Sequence, residues 1–430
     1  MRLRFFALAA VWILAACAAP AAPPTQVAVT ASISTLAPAT PTNTPVLAAT
    51  PEATPNAITL TLWWPEPLAP IDNQAASNLL VEQIRAFEAA NSDVTVNFRL
   101  KNDQDVGGIM STLKTASLVA PGALPDLTLL RRSDMIAAAQ AGLIMPLDEH
   151  AEASILDNLH PMVSALGRVN DRLYGLPYNV EVEHMVYQAG KYALDRWSFA
   201  NVLAQKAAFV FAAGRANSLS DVFLVQYRDA TGTLESSTIS PDADQLRTLF
   251  QFYQQAVSEK LIDPTVLQYV IPDDFRGGLV QGDIPAGVVT STLYLRMIAE
   301  GAKLDYAPIP TVSGEPTTVV DSWMWVLTSA DSEQQMAAMR FLNWMQDADR
   351  QGKFNQTIDM LPSQRSALRQ WEDPDYAAFI DTLLNNATMP LTESSSGVAA
   401  RTIQSALASV INGQRSAEQA TQDVMTQLSG

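Results

Sequence analysis

The residue types that could carry out catalysis are thinly spread along this chain. Among 430 residues there are three histidines (His150, His160 and His184) and a single cysteine, Cys17. The histidines show no metal-type spacing, and neither HExxH nor a P-loop is present. No G-x-S-x-G marks a serine nucleophile. A glycosidase-like carboxylate pair needs about 5–10 Å between its members, and nothing in the sequence singles out two of the 44 acidic residues. A net charge of −17, with no basic cluster beyond the Arg131-Arg132 pair, argues against nucleic acid, which binds through clustered Lys and Arg. No metal or cofactor is expected.

Recognition has better candidates. Residues 59–67 read TLTLWWPEP, with two tryptophans where a strand runs out. Neighbours in a strand point to opposite faces, so the two rings have different tasks. Trp63 is expected to seal the strand against a covering helix. Trp64 precedes Pro65, which favours an extended conformation. It is expected at the carboxyl edge as a flat platform, with Glu66 as its polar partner. Trp323 and Trp325 are two apart and share a face. Arg131 and Arg132 close the apolar run PDLTLL, where either could donate to a hydroxyl or carboxylate. Aromatic platforms with a few carboxylates and guanidinium groups suit a solute that has apolar C–H faces and a rim of hydroxyls.

These residues need a scaffold, and the folded part opens as strand, helix, strand. ITLTLW is β-like, NQAASNLLVEQIRAFEAANSD sets Leu80, Ile84 and Phe87 on one helical face, and VTVNFRL is again extended. Ser133 is placed to cap the helix DMIAAAQA and Gly142 to end it. The middle is mostly helical, clearest at DADQLRTLFQFYQQAVSEK. VDSWMWVLTS then returns to strand before a helix opened at Ser332, and Ser416 caps the last helix. Strands alternating with helices predict an α/β fold with a mainly parallel sheet covered on both faces. Ligands of such sheets bind at the carboxyl ends of the strands.

The amino terminus reads as a targeting device. MRLR precedes FFALAAVWILAA, an apolar run shorter than the roughly 20 residues of a spanning helix, as in a secretory signal. Leu14-Ala15-Ala16-Cys17 resembles the lipobox of bacterial lipoproteins, which implies lipidation at Cys17 after removal of residues 1–16. An ordinary cleavage site with an incidental cysteine is the alternative. Residues 17–57, rich in Ala, Pro and Thr, cannot bury enough surface to order and are expected to form an extended tether.

Several segments in fixed order resemble one family. LPDLTLLRRSDMIAAAQAGLIMPLDEH is similar to its "PD" strand and following turn, and RVNDRLYGLPYNVEVEHMVYQ to its first crossing between lobes. FRGGLVQGDIPAGVVTS, the stretch from LDYAPIP to NWMQD, and MLPSQRSAL match later units. Together they resemble the extracellular solute-binding proteins of ABC importers, in the group that includes the maltose-binding protein and other sugar receptors. The resemblance implies a two-lobed periplasmic-binding-protein fold of type II. Lobe 1 would comprise 58–182 and 306–350, and lobe 2 183–305 and 351–430, with crossings near 178–183 and 305–310 and a third candidate near 346–351. It also implies a monomer that closes around a sugar or oligosaccharide and delivers it to ABC permease subunits. On its pattern, Tyr178 and Glu181 would face the cleft from the crossing strand. Thr290, Ser291 and Tyr294 would do so from a loop, and Trp323 from the strand entry. VVDS stands where the family carries a glycine pair, and the stretch after Tyr187 is short. Two alternatives remain open: a sensor lipoprotein without a transporter, and a secreted glycan hydrolase.

Overall fold

β1 (Ile58–Pro65) begins where the apolar alternation begins and runs parallel to β2 (Val94–Lys101) and β3 (Leu127–Arg131). The helix Gln74–Ala90 joins the first two strands. Asn73 caps it, accepting from the Ala76 backbone N–H, and Leu80, Ile84 and Phe87 are buried as their spacing predicts. The computed structural model describes residues 57–69, 73–104, 106–194, 196–215, 217–233, 239–391 and 397–429. The leader, Cys17 and the tether as far as residue 56 lie outside the described residues. Those described belong to a compact unit, Thr54–Gly430.

A short hairpin follows, β4 (Arg168–Val169) and β5 (Arg172–Leu173), turned by Asn170 and Asp171 at φ 50° and 65°. This is the left-handed pair that a two-residue hairpin requires. Next come β6 (Leu176–Pro177), the ten-residue β7 (Asn179–Gln188), β8 (Ala286–Thr290) and β9 (Leu304–Ala307). β10 (Thr318–Asp321), β11 (Trp323–Leu327), β12 (Leu361–Pro362) and β13 (Ala387–Thr388) complete the strands.

The first sheet has the order β2-β1-β3-β11-β6. The second is built on β7, which pairs antiparallel with β12, β10, β8 and β9 along its length, while β13 joins β10 in parallel. The expected mainly parallel sheet therefore holds only for β1, β2 and β3. β11 and β6 join the first sheet antiparallel, and in the second every partner of β7 runs against it. The cause is topological. β7 carries the chain out of the first sheet, and the segments that return alongside it run the other way.

The passages between the sheets lie side by side. β6 leads through Tyr178 into β7, and β10 leads through Ser322 into β11. Ser322 Oγ donates to the Asn179 carbonyl at 2.6 Å, the Trp323 N–H to Asn179 Oδ1 at 3.0 Å, and the Tyr178 N–H to the Trp323 carbonyl at 2.9 Å. The return passage at Ser322 falls beyond the 305–310 stretch where the resemblance would put it.

The apolar core has two parts. One surrounds Trp64, Trp325 and Phe341 and covers the first sheet. The other gathers Phe211, Phe223, Phe250 and Tyr253 between the helices Asp221–Thr231, Ala243–Ser258 and Val398–Ile411. Two caps differ from expectation. Asp331, one residue ahead of Ser332, accepts from the N–H groups of Glu333 and Gln334. The helix Arg132–Gln140 begins before Ser133 can cap it, because β3 runs into it without a loop. Ser416 caps the helix Ala417–Leu428 as read, in a capping box with Gln419.

Candidate functional site

β7 alternates strictly at its start. Val180 and Val182 are buried on one face, while Glu181 and Glu183 share the other and are half-buried. β10 sets Asp321 directly opposite Glu181 and Val320 opposite Val182. Three carboxylates are thereby gathered on one face of the sheet, beside the passages between the sheets. Thr290, opposite Glu183 in the β7–β8 pair, ends β8 and caps the helix Ser291–Ala299, accepting from the Leu293 N–H at 3.2 Å.

These residues floor a cleft of about 610 Å³. Arg131, Trp323 and Pro67 line it beside the first sheet. Arg215, Pro272, Thr292 and Arg296 line it beside the second. A smaller hollow of about 290 Å³ continues past Glu181, Glu183, Thr290 and Asp321 toward Asp221 and Leu391. Arg131 ends β3 and pairs with Trp323 of β11. Its guanidinium lies over the Trp323 ring, 4.5 Å from the centroid, and Nε donates to Asp103 at 3.2 Å. Arg215 is ion-paired to Asp221 at 2.5 Å, which holds the guanidinium charged.

The floor is electrostatically tense. Burial pushes the Glu183 carboxyl up to about 8, Asp221 and Glu181 push it the same way, and Arg215 opposes them. Burial also pushes Asp321 up to about 6, against the pull of the Ser322 N–H and of Arg132. Such groups can accept hydrogen bonds from hydroxyls, or donate one when protonated.

Of the residues singled out in the sequence, Arg131, Glu181, Thr290 and Trp323 come together in the cleft lining. The others do not. Trp64 is fully buried, its ring 5.4–5.8 Å from those of Tyr178, Trp325 and Phe354. The expectation of an exposed platform is therefore corrected. The face that Trp64 presents is covered by Phe354 of the helix Ala348–Thr357, far along the chain. Tyr178 is fully buried in the same cluster, so its expected place in the cleft is corrected too. Trp63 is buried on the opposite face of β1, with Lys101 Nζ of β2 4.5 Å from its ring centroid. Glu66 is exposed on the short turn after β1, and the cleft lining there is Pro67.

Arg132 is 5% exposed, its Nη2 contacting Met389 Sδ at 3.3 Å, behind the lining rather than in it. Ser291 is buried and its Oγ accepts from the Val182 N–H, tying β8's end to β7. Tyr294 is 5% exposed, packed on His184, Tyr306 and Tyr376. Sequence reasoning missed Glu183, Asp321, Arg215 and Arg296. The signals were present in part: glutamates two apart in an apolar strand, and an aspartate in VVDS.

Two sheets joined by paired strand passages, with a polar cleft between them, define a two-lobed binding protein. The chain belongs to the bacterial extracellular solute-binding family, whose sequence profile matches residues 82–379. A comparison with curated proteins returns no match. Solved structures with the same fold include maltose-bound MalE3 of T. maritima, 16% identical, with 86% of this chain and 99% of that one covered at a TM-score of 0.61. The cyclic α-maltosyl-1,6-maltose binding protein of Arthrobacter globiformis is 13% identical over 86% and 97%, at 0.67. A family 1 extracellular solute-binding protein of Bifidobacterium longum subsp. infantis is 15% identical over 87% and 99%, at 0.66.

Proposed function

We propose that this chain is a lipid-anchored extracytoplasmic carbohydrate receptor that closes on its solute and delivers it to ABC permease subunits. The observation that carries the reading is the cleft itself. An aromatic ring (Trp323), guanidinium groups (Arg131, Arg215 and Arg296) and carboxylates (Glu181, Glu183 and Asp321) face one space beside the sheet passages. Carboxylates and guanidinium groups hold hydroxyls in fixed geometry, and a ring takes a sugar's apolar face. The relatives support the ligand class, since MalE3 is described as maltose-bound and the Bdellovibrio bacteriovorus MalE domain as bound to maltotriose.

Lobe 1 is built on the first sheet and lobe 2 on the β7 sheet, with Asn179 and Ser322 at the hinge, so the second boundary lies at Ser322 rather than at 306. A solute touching both walls favours closure by its differential affinity for the closed state. Cys17 would carry the lipid, and two or more acyl chains suffice for stable anchoring. The test is a melting-temperature panel of saccharides, polyols, amino acids and polyamines. A ligand of the native state raises the midpoint by mass action. Stabilisation by a saccharide supports the reading. Stabilisation by a non-sugar alone would remove the carbohydrate assignment, and turnover of a glycan would remove the receptor itself.

A further inference from the structure

Beside the cleft lies a second gap of about 650 Å³, which shares Pro67 and Arg296 with it. Its walls come from different halves of the molecule. Asn73 and Gln74, where the helix Gln74–Ala90 begins, form one wall together with Ile358 and Asp359. Asn73 Nδ2 donates to the Thr357 carbonyl at 2.8 Å, which fastens the 357–359 turn to the first-sheet side. The other wall is the end of the helix Ser291–Ala299, which follows β8 of the second sheet and contributes Arg296 and Glu300.

Unpaired charge is left on both walls. Glu300 is held by Arg276 of the helix Arg276–Gln281. Arg296, one turn before Glu300, is exposed and has no hydrogen bond or ion pair among the described residues. Asp359 is half-buried, equally unpaired among them, and the one charged group on its wall. Burial pushes its carboxyl up, Arg296 pulls it down and Glu300 pushes it up again. Asp359 therefore already lies in the field of Arg296. The cleft floor answers to other cations: Glu183 to Arg215, and Asp321 to Arg132 and Arg131.

The backbone at Asp359 sharpens the point. Its φ of 55° is left-handed, a region that aspartate and asparagine tolerate better than most residues. The turn is held by the Asp359 N–H donating to the Gln356 carbonyl at 3.3 Å and the Met360 N–H to the Asn355 carbonyl at 2.9 Å. Asparagine would serve that conformation equally well, so the turn alone does not call for a charge.

Resting on the receptor reading above, we propose that Arg296 and Asp359 form an ion pair across this gap when the lobes close, and that Asp359 thereby sets solute affinity without touching the solute. The closed state gains a contact that the open state lacks, and apparent affinity rises by that difference. An ion pair of this exposure contributes modestly, so closure still waits for solute.

The experiment is calorimetric titration and stopped-flow mixing of the full-length chain with maltotriose and the other saccharides of the melting panel. Asp359→Asn keeps the left-handed turn and removes the charge. It is expected to weaken binding about fivefold, through faster dissociation at an unchanged association rate, with the ligand-free melting temperature not lowered. In an Arg296→Gln background the same substitution is expected to change affinity no further. Should Asp359→Asn fail to fold, Asp359→Gly, which adopts the turn without strain, is expected to show the same loss. Wild-type affinity in Asp359→Asn overturns the closing pair and leaves the receptor reading intact. An undiminished loss in the Arg296→Gln background overturns the pairing with Arg296. Binding of no saccharide by the wild type removes the receptor reading and the pair with it.

Discussion

Glu181 and Asp321 stand directly opposite each other in the antiparallel pair of β7 and β10, with Glu183 two residues along on the same face as Glu181. The strands that carry the chain between its sheets thus also carry the most crowded charges of the cleft. These strands also floor the cleft, so a solute bound there would act where the proposed lobes are joined. The consequences below follow from that placement and from the aromatic core behind it.

Glu183 ties stability to pH. Its folded carboxyl lies near 8 against an ordinary 4.5, so the folded state binds the proton more tightly than the unfolded chain. That contribution is full below about 4.5 and is lost as pH rises toward 8. Glu183→Gln should flatten the fall in melting temperature between pH 5 and pH 8 by a few degrees. Superimposable melting curves for variant and wild type across that range would refute the assignment.

His184 works in the opposite direction. Its Nδ1 lies 3.0 Å from the Met185 carbonyl, which can only accept, so Nδ1 carries the proton and Nε2 accepts from the Tyr376 hydroxyl at 2.9 Å. Burial holds the imidazole down to about 4 against an ordinary 6.5. Its contribution is present above about 6.5 and lost as pH falls toward 4. Proton-detected NMR of the ring should show a neutral imidazole at pH 5.5, and a titration midpoint near 6.5 would contradict the packing.

Trp64 separates core from cleft. Trp64→Ala removes a fully buried ring that touches Tyr178, Trp325 and Phe354 and should cost about 3–5 kcal/mol of folding stability. Solute affinity of the folded fraction should change by less than about threefold, because the Trp64 ring is fully buried and absent from the cleft lining. Denaturant unfolding and calorimetry on the same sample would check both halves.

Arg131 should behave in reverse. Its side chain is 42% exposed, and exposed ion pairs contribute about 0–1 kcal/mol, so Arg131→Ala should leave the melting temperature nearly unchanged. A lost charge-assisted hydrogen bond to a solute is worth about 1.5–3 kcal/mol, which predicts at least a tenfold weaker titration. Unaltered affinity would remove Arg131 from the site.

Much of this architecture is legible in the sequence because it rests on local periodicity. Leu80, Ile84 and Phe87 repeat at helical spacing and are buried. Arg131 and Thr290 end strands, Trp323 begins one and Glu181 lies near the start of the crossing strand, and all four line the cleft. What failed is what depends on distant segments. Alternation shows that Trp63 and Trp64 face opposite ways, but not that Phe354 and Trp325 arrive later to cover the second ring. Nor can it show that Asp321 will register against Glu181, because that pairing is set by how two crossings lie together. The antiparallel second sheet was hidden for the same reason.

The most direct test is calorimetric titration of the full-length chain with the saccharide that most raises its melting temperature, beside a Glu181→Ala/Arg131→Ala variant. The account predicts saturable binding of one solute per chain, lost in a variant that still folds. Undiminished binding by that variant, or no saccharide binding by the wild type, would contradict it.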